Sequence, residues 1–408
     1  MSTETSTTTE EREPTPAPQA ERESLLRSIV ESSSLVVFIA VALSLILGGV
    51  LIIVASDEVG EAAGYFFSRP GDTFKAIGDV LGSTYSAMVN GAIYNTNASS
   101  FATGIKPLTQ TLTMATPLIF AGLGLGLGFR AGLFNIGAQG QIIIGATLGG
   151  YIGFTWHLPI GLHLLVAILG TMIGGAIWGF IPGVLKAATG AHEVIVTIML
   201  NYIALNLVSF LLSKDAFQQP GSDNPIAPPV DSTAMYPKLL GSNYALHWGF
   251  IVALLAAVGV WWLLERSTWG LQFRAVGANP SAAKTAGMNV PMTYVLVLVI
   301  AGALAGLAGS AQILGTQPAL TSNVAASFGF DAITVALLGR SRPLGIVLAA
   351  ILFGALNASG PALQVQAGLP IDVVLVVQSL IVLFIAAPPL VRSLVGLPHP
   401  RHVKEVTA

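Results

Sequence analysis

SLVVFIAVALSLILGGVLIIVA, residues 34–55, is an uninterrupted apolar run that decides the fold class of this chain. A helix crosses the hydrocarbon layer of a membrane in about 20 residues, and runs of that length recur along the sequence. The whole chain is 53% hydrophobic and 9% charged, with a mean hydropathy of +0.75. A soluble domain carries about 25% charged residues, so most of the exterior of this protein must face lipid.

We therefore predict an all-α polytopic membrane protein with nine or ten transmembrane helices. A shorter run at 329–339 is too brief to cross alone, and we interpret it as a broken or re-entrant segment. The 45 glycines suit a bundle whose helices approach closely inside a membrane. The predicted spans are 34–56, 107–128, 138–155, 160–184, 193–213, 247–264, 292–313, 343–360 and 370–389.

The distribution of basic residues predicts the orientation. With the N-terminus in the cytoplasm, thirteen of the 18 Lys and Arg residues fall inside and five outside, which is the positive-inside bias of membrane proteins. We expect a multi-pass membrane protein, surrounded by membrane lipid, with both termini cytoplasmic. The five basic residues placed outside are Arg69, Lys75, Lys106, Lys214 and Lys238.

Beyond the spans, the chain divides into two tails and three long loops. Residues 1–24 are rich in Thr, Glu and Pro and predict a disordered cytoplasmic tail. The transmembrane domain is expected over 25–395, followed by a cytoplasmic tail at 396–408. Two external segments, 57–106 and 214–246, are solvated connectors or a docking platform for an external partner; within the first, residues 74–94 predict an amphipathic helix. The absence of Cys excludes disulfides and thiolate metal sites, and we expect no metal.

The internal loop 265–291 carries the start and stop signals of a short helix. Asn279 is a suitable N-cap, and Pro280 fits the first helical position because its missing N–H has no partner there. Gly287 is placed to end the helix. A short helix beneath the membrane, between two spans, follows from these residues.

The loop sequence RAVGANPSAAKTAGMNV, residues 274–290, resembles the EAA-type coupling loop of ABC-transporter permeases. In that family the loop docks into a cleft on the nucleotide-binding subunit. The matching positions are Ala282, Ala283 and Gly287, although Ser281 stands where the usual pattern has Glu. The resemblance implies that these residues, with Arg274, Asn279 and Pro280, couple this chain to an ATPase.

Three further stretches resemble the branch of that family that imports simple sugars and nucleosides. They are GLFNIGAQGQIIIGA (132–146), HEVIVTIMLNYIA (192–204) and GFDAITVALLGRSRPLGIVLAAILFGAL (329–356). The form N-I-G-x-x-G-Q is most similar to nucleoside permeases that work with lipoprotein-type binding proteins. The resemblance covers about residues 105–390. It implies a location in the bacterial inner (plasma) membrane, a homodimer or heterodimer of permeases, two ATPase subunits and an external solute-binding protein.

The chain lacks the G-x-x-x-x-G-K-[ST] loop that cradles phosphates. ATP and Mg²⁺ are therefore expected on partner subunits, with no cofactor in this chain and no enzymatic activity of its own. No nucleic-acid partner is expected.

FRAGLFNIGAQGQ, residues 129–141, places polar side chains among glycines within this apolar sequence. Asn135, Gln139 and Gln141 can each donate and accept hydrogen bonds, which suits a neutral polar solute such as a nucleoside. Phe134 offers a ring that can stack on a base, an interaction of about 1–3 kcal/mol in nucleic-acid systems. The alternative is that these amides join helices across the bundle, at about 0.6 kcal/mol per hydrogen bond.

Two more polar residues in apolar segments are open to both interpretations. Asp331 is either a helix N-terminal carboxylate favoured by the dipole or an acceptor for ribose hydroxyls. Asn201 lines a solute pathway or packs helices. Near the inner start of the same span, His192 and Glu193 predict an interfacial salt link. A partial echo between 127–153 and 337–360, each with a glycine closely followed by arginine, predicts parallel repeats.

The leading hypothesis is the permease subunit of an ATP-driven nucleoside importer. The first alternative is the same type of permease with a simple sugar, such as ribose or galactose, as its solute. The second is an ion-coupled secondary transporter, which requires membrane-embedded carboxylates; Asp331 is nearly the sole candidate.

Overall fold

The computed structural model describes residues 33–222, 224–317, 319–370 and 372–395. The tails predicted at 1–24 and 396–408 lie outside these residues. Regular structure in the described part is almost entirely helical, so the all-α prediction is confirmed, apart from two short strands. The helices are α1 (Ser33–Ala55), α2 (Asp57–Gly64), α3 (Pro70–Ala92), α4 (Phe101–Gly104), α5 (Lys106–Arg130), α6 (Ala138–Thr155), α7 (Leu162–Thr189), α8 (Glu193–Leu212), α9 (Gly249–Arg266), α10 (Thr268–Ala278), α11 (Pro280–Thr285), α12 (Val290–Ala311), α13 (Phe328–Leu338), α14 (Pro343–Gln366), α15 (Asp372–Ala386) and α16 (Pro388–Val395); the strands are β1 (Ile226–Pro229) and β2 (Ala319–Thr321).

Seven helical segments of the described chain are long and apolar enough to cross a membrane, centred on α1, α5, α7, α8, α9, α12 and α14. Two further predicted spans coincide with helices that fall short of this standard. Helix α6 starts with Gln139 and Gln141, which lower its hydropathy, and α15 has 15 residues. The run at 329–339 forms the separate 11-residue helix α13, too short to cross alone. The structure therefore supports a multi-pass protein with seven clear spans, and the higher count of nine or ten stays a prediction.

Helix α5 is the central helix of the bundle. Its residues from Ala115 to Gly128 are buried on every side, as expected for a helix that is apolar all round. It packs against α12, α13 and α14, with α9 on a further side.

Helices α6, α7 and α12 pack closely through small residues. A Cβ on Gly175 of α7 would overlap the carbonyl oxygen of Gly302 on α12, and one on Gly306 would overlap that of Thr171. Backbone contact of this kind is how helices associate in lipid, where apolar side chains gain little by leaving the hydrocarbon. The three helices form the firm scaffold of the domain.

The amphipathic helix predicted at 74–94 is confirmed as α3. Thr73, Ala76, Val80 and Thr84 are buried at helical spacing, and this face packs against α14. Gly91 lies against the backbone of Ser359, where a Cβ would come within 2.9 Å of Ser359 Cα. The helix is thus part of the bundle wall as well as of a connecting segment.

The second segment predicted as an external connector forms a packed layer, which we call the cap (residues 214–247). Its strand β1 pairs antiparallel with β2, which follows α12, with Ile226 opposite Thr321. Backbone hydrogen bonds join Asp231 N to Gly153 O (2.9 Å) at the end of α6. Another joins Tyr236 N to the carbonyl oxygen of Leu314 (2.8 Å), just beyond α12. The prolines and turn residues of this segment predicted a loop, whereas its strand pairing depends on a partner about 90 residues away.

Candidate functional site

The turn between α5 and α6, residues 131–137, carries several of the polar residues of interest. Gly132 adopts a φ of +73°, a left-handed conformation that favours glycine. The chain reverses direction there and enters α6 at Ala138. Asn135, Gln139 and Gln141 are thereby gathered around the first turn of α6.

Asn135 and Gln141 hold the turn together from inside. Each is 1% exposed. The side-chain amide of Asn135 donates to Gln141 Oε1 at 3.2 Å, and its Oδ1 accepts from Gly137 N at 2.9 Å. A buried amide that is hydrogen-bonded in this way avoids the penalty for an unsatisfied polar group.

Asn201 reaches the same turn from α8. Its Nδ2 donates to Ile136 O at 2.9 Å, and its Oδ1 accepts from Gly140 N at 2.8 Å. The first N–H groups of a helix have no partner within the helix, so Asn201 satisfies one such group of α6. The side chain joins α8 to the start of α6.

Gln139 joins the start of α6 to the loop before α13. Its Nε2 donates to Ala326 O at 2.6 Å, and its Oε1 accepts from Gly329 N at 2.9 Å. Ala326 has a φ of +41°, an uncommon value for a residue with a side chain. Non-helical backbone inside a membrane protein needs such partners, and Gln139 supplies two of them.

Gln139 and Asn201 thus make the inter-element hydrogen bonds that the packing alternative predicted, whereas the bonds of Asn135 and Gln141 stay within the turn and the start of α6. A role in contacting solute stays a prediction for each of them. Their geometry assigns them at least the task of fixing the turn between α5 and α6.

Phe134 is exposed, and Asp331 is half-buried, like Gln139. The Phe134 side chain is 39% exposed, and its ring centroid lies 5.2 Å from that of Phe129. Asp331 lies in the first turn of α13, where its carboxylate accepts a hydrogen bond from Ser327 Oγ at 2.7 Å. This placement agrees with the helix N-terminal interpretation of Asp331. It also leaves Phe134 as an aromatic surface beside the amides.

An ion pair that the sequence did not single out anchors the same turn. Lys186 Nζ lies 2.6 Å from Glu193 Oε2, and Glu193 Oε1 is 3.5 Å from the backbone nitrogen of Phe134. The salt link predicted for His192 and Glu193 at the start of α8 forms through Glu193, with Lys186 in place of His192 as its partner. A signal was present in the sequence, since a lysine and a glutamate flank the helix-ending Gly190.

The internal loop 265–291, which we call the coupling segment after its resemblance, has the local structure that its sequence predicts. The Asn279 side chain accepts from Ser281 N and Ala282 N, at 3.0 and 3.1 Å, and Pro280 opens α11. Gly287 follows α11 with a φ of +85°. The N-cap, first residue and helix end of this prediction are confirmed.

Two of the six residues predicted to couple to an ATPase face their own chain. Ala283 is 4% exposed, in a helix that packs on α10 and α12. Arg274 donates from Nη1 to Leu264 O at 2.5 Å and lies 3.1 Å from Glu265 Oε2, so it binds the end of α9. The surface available to a partner consists of exposed neighbours, including Ala282 and Gly287.

A contact between the coupling segment and the turn was not predicted. Gly277, in the last turn of α10, lies against the backbone at Gly132; we call this pair the glycine junction. A Cβ on Gly277 would overlap Arg130 O and lie 2.9 Å from Gly132 N, and one on Gly132 would lie 3.2 Å from Gly277 Cα. A glycine inside a helix costs about 1 kcal/mol relative to alanine, which was the available signal that Gly277 serves close packing.

These features define a class of protein. It is a multi-pass α-helical membrane protein in which a segment between two spans forms a short, capped helix and contacts a polar turn of the bundle. The model of the family described as the branched-chain amino acid transport system permease component matches residues 108–386. The chain belongs to this family, and it is a transport component.

Several curated relatives cover most of the chain. A guanosine ABC transporter permease protein of Bacillus subtilis is 38% identical over 317 residues, which is 78% of this chain and 88% of that protein. A glucose ABC transporter permease protein of Haloferax volcanii is 35% identical over 68% of this chain and 75% of that protein. A nucleoside ABC transporter permease protein of Lactococcus lactis is 34% identical over 73% and 84%, respectively. No solved structure matches the chain.

Proposed function

We propose that this chain is the membrane-spanning permease subunit of an ATP-binding-cassette importer of nucleosides. The observation that carries the proposal is the 38% identity to a guanosine permease across 88% of that protein's length. The nucleoside permease of Lactococcus lactis supports the same solute class. The chain would form the translocation pathway in the bacterial plasma membrane, with both termini cytoplasmic.

The energy source in this proposal lies on partner subunits. Two ATPase subunits bind ATP and Mg²⁺ and dock at the exposed face of α11, and an external lipoprotein-type protein delivers the solute. A second permease subunit, either identical or related, completes the pathway. The cap is the docking platform for the delivering protein, because its strand pairing and hydrogen bonds give it a fixed surface.

The glycine junction provides a route from ATPase closure to the pathway. Movement of α11 is passed through α10 to Gly277 and from there to the turn that carries Phe134. Because backbone packs on backbone at the junction, a displacement of one element must be followed by the other. Re-orientation of this turn opens the pathway alternately to the two sides.

Within the pathway we assign contact with solute to the accessible side chains, Phe134, Gln139 and Asp331, with Phe134 stacking on the base. Asn135, Gln141 and Asn201 position the turn. Weak binding suits this design, since a permease that held its solute tightly would release it slowly.

A simple sugar is the second candidate, favoured by the 35% identity to a glucose permease. Uptake of labelled guanosine, uridine and adenosine, measured with and without this gene in a strain that lacks other nucleoside importers, separates the two. We expect nucleoside uptake to depend on the gene and to be unaffected by excess glucose, ribose or galactose. Unchanged nucleoside uptake, together with gene-dependent uptake of one of the sugars, would assign the sugar instead.

A further inference from the structure

Three arginines from separate elements line one cavity of about 590 Å³. Arg130 ends α5, Arg266 ends α9 and Arg342 precedes α14. Trp261 and Leu344 complete the wall on the side of the apolar bundle. The cavity lies at the end of the bundle that the positive-inside bias places in the cytoplasm.

The cavity carries a net positive charge. Its one carboxylate, Glu265, is engaged by Arg274 at 3.1 Å. Arg266 and Arg342 are exposed, and among the described residues neither forms an ion pair. Arg130 donates from Nε to Ser341 O at 3.3 Å, which holds its guanidinium at the wall. Planar guanidinium groups match the oxygens of a phosphate, so the chemistry favours a phosphate-bearing anion.

Two apolar grooves run from this cavity along the bundle. One, of about 260 Å³, lies between α9 and α14, is lined by Leu254 and Val347, and shares Trp261 and Leu344 with the cavity. The other, of about 420 Å³, lies between α1 and α14. It shares Arg342 and Leu344 with the cavity, and its other lining residues include Arg340 as well as Val41, Leu348 and Leu352.

A ridge on α14 separates the two grooves. Leu344 and Leu348, one helical turn apart, are 73% and 61% exposed. The arrangement is therefore a basic cavity that opens into two apolar grooves, one on each side of the ridge formed by Leu344 and Leu348.

We propose that this is a binding site for an anionic phospholipid. The phosphate lies among Arg130, Arg266 and Arg342, and the acyl chains lie on either side of the Leu344–Leu348 ridge. Basic pockets between transmembrane helices on the cytoplasmic side are suited to anionic lipid headgroups. A free phosphate ion would satisfy the arginines but would leave both grooves without a ligand, so a lipid accounts for more of the structure.

The bound lipid would stabilise the chain next to the turn at 131–137, which carries Phe134. Arg130 directly precedes the turn at 131–137, and its bond to Ser341 joins the turns before α6 and α14. The sequence echo between 127–153 and 337–360 thus brings its two turns into contact, with the lipid phosphate beside them. The proposal adds a lipid ligand to the permease and does not depend on which solute it carries.

The test is a titration of fluorescent phosphatidylglycerol into the purified permease in nanodiscs of phosphatidylcholine. The double variant R266Q/R342Q is expected to bind the lipid about thirtyfold more weakly than wild type, at roughly fivefold per arginine. The matched control R69Q, which removes an exposed arginine at the start of α3, is expected to stay within twofold. If the double variant does not fold, R266Q alone must show the fivefold loss.

A second comparison addresses the grooves. Leu344→Ser is expected to weaken phosphatidylglycerol binding severalfold without changing the melting temperature by more than a few degrees. Equal binding by wild type and R266Q/R342Q would overturn the proposal. Complete displacement of the lipid by millimolar inorganic phosphate would also overturn it, because that result indicates a site for a free anion. So would separation of the permease pair by the arginine variants with unchanged lipid binding, because that result indicates a subunit interface.

Discussion

The glycine junction and the cap lie at opposite ends of α6 and α12 and are built in different ways. At the junction, Gly132 and Gly277 bring two backbones into direct contact. In the cap, side chains and strands make directional hydrogen bonds, such as His163 Nδ1 with Thr233 Oγ1 at 2.7 Å and Tyr236 OH with Ser310 Oγ at 3.0 Å. The contacts within the cap are hydrogen bonds, whereas the contact between Gly132 and Gly277 is backbone packing, although hydrogen bonds from Asn201 hold the turn itself.

This difference fits a division of labour. Directional hydrogen bonds hold one geometry and lose energy when it changes, which suits a platform that must receive a partner. Backbone packing at the junction transmits a displacement of α10 to the turn without holding the two elements at one fixed angle. We infer that the cap is the static end of the permease and the junction is the end that moves.

The most damaging change to the junction is expected from Gly277→Ala. The added Cβ overlaps Arg130 O, and no side-chain rotation can relieve an overlap with main chain. Overpacking of this kind costs about 1–3 kcal/mol. Because the displaced turn carries residues that we propose to line the pathway, nucleoside uptake should fall by about two orders of magnitude, measured at equal amounts of membrane-inserted protein.

Gly259→Ala is the matched control. Gly259 lies within α9, where an added Cβ meets nothing within 4 Å, and alanine should leave the helix as stable or more stable by about 0.5–1 kcal/mol. Uptake by the Gly277→Ala variant equal to that of the control would remove the junction from the coupling route.

A second change tests whether the turn is held by α8. Asn201→Ala removes the bonds to Ile136 O and Gly140 N, and two buried polar groups left without partners cost about 2–4 kcal/mol together. The melting temperature in detergent should fall by several degrees. Asn206→Ala, on the same helix but exposed and bonded only to Tyr202 O of its own helix, should change stability by less than about 0.5 kcal/mol. Equal melting temperatures for the two variants would contradict the assigned role of Asn201.

Phe134→Ala tests the accessible part of the site. Loss of a stacking surface is expected to raise the KM for guanosine roughly 5- to 100-fold, while the melting temperature stays near the wild-type value because Phe134 is 39% exposed. Phe134→Tyr keeps the ring and should retain uptake. An unchanged KM in Phe134→Ala would show that the base does not stack there.

The cap should respond to pH through His247, which precedes α9. Burial, with a smaller contribution from the charge of Lys238, lowers the pKa of His247 to about 4. The unfolded chain takes up this proton near pH 6.5, so the contribution of His247 is fully present above that pH. It is lost as the pH falls from about 6.5 to about 4.

Stability at pH 5.5 should therefore be lower than at pH 7.5 by about 1.4 kcal/mol through His247. Thermal unfolding of wild type and His247→Gln at the two pH values measures this difference, since only the wild type carries the titrating group. The same pH dependence in both proteins would mean that His247 does not limit the stability of the cap.

Short-range features of this fold could be predicted from sequence. The apolar runs follow from composition and length, and α11 follows from Asn279, Pro280 and Gly287 because capping depends on a few adjacent residues. The amphipathic α3 follows from helical periodicity. In each case the information lies within one element.

Long-range features could not be predicted. The junction brings together Gly132 and Gly277, which are far apart in the sequence. Strand β1 pairs with β2, although four helices, α9 to α12, separate the two strands in the sequence. The amides of Asn135, Gln139 and Asn201 fit both a pathway and a packing role, since the same side chain can bond solute or backbone. Only the tertiary structure shows which backbone N–H and C=O groups lie close enough to form hydrogen bonds with these amides.

ATP-driven import of nucleosides is the property that separates the proposed function from its two alternatives, a sugar permease and a secondary transporter. Its most direct test is the accumulation of labelled guanosine in membrane vesicles that contain the complete importer, with ATP supplied inside and the ion gradients removed by ionophores. We predict accumulation that requires ATP and persists without ion gradients, with little competition by excess glucose. Accumulation that continues without ATP and stops when the gradients are removed would contradict the claim and indicate a secondary transporter.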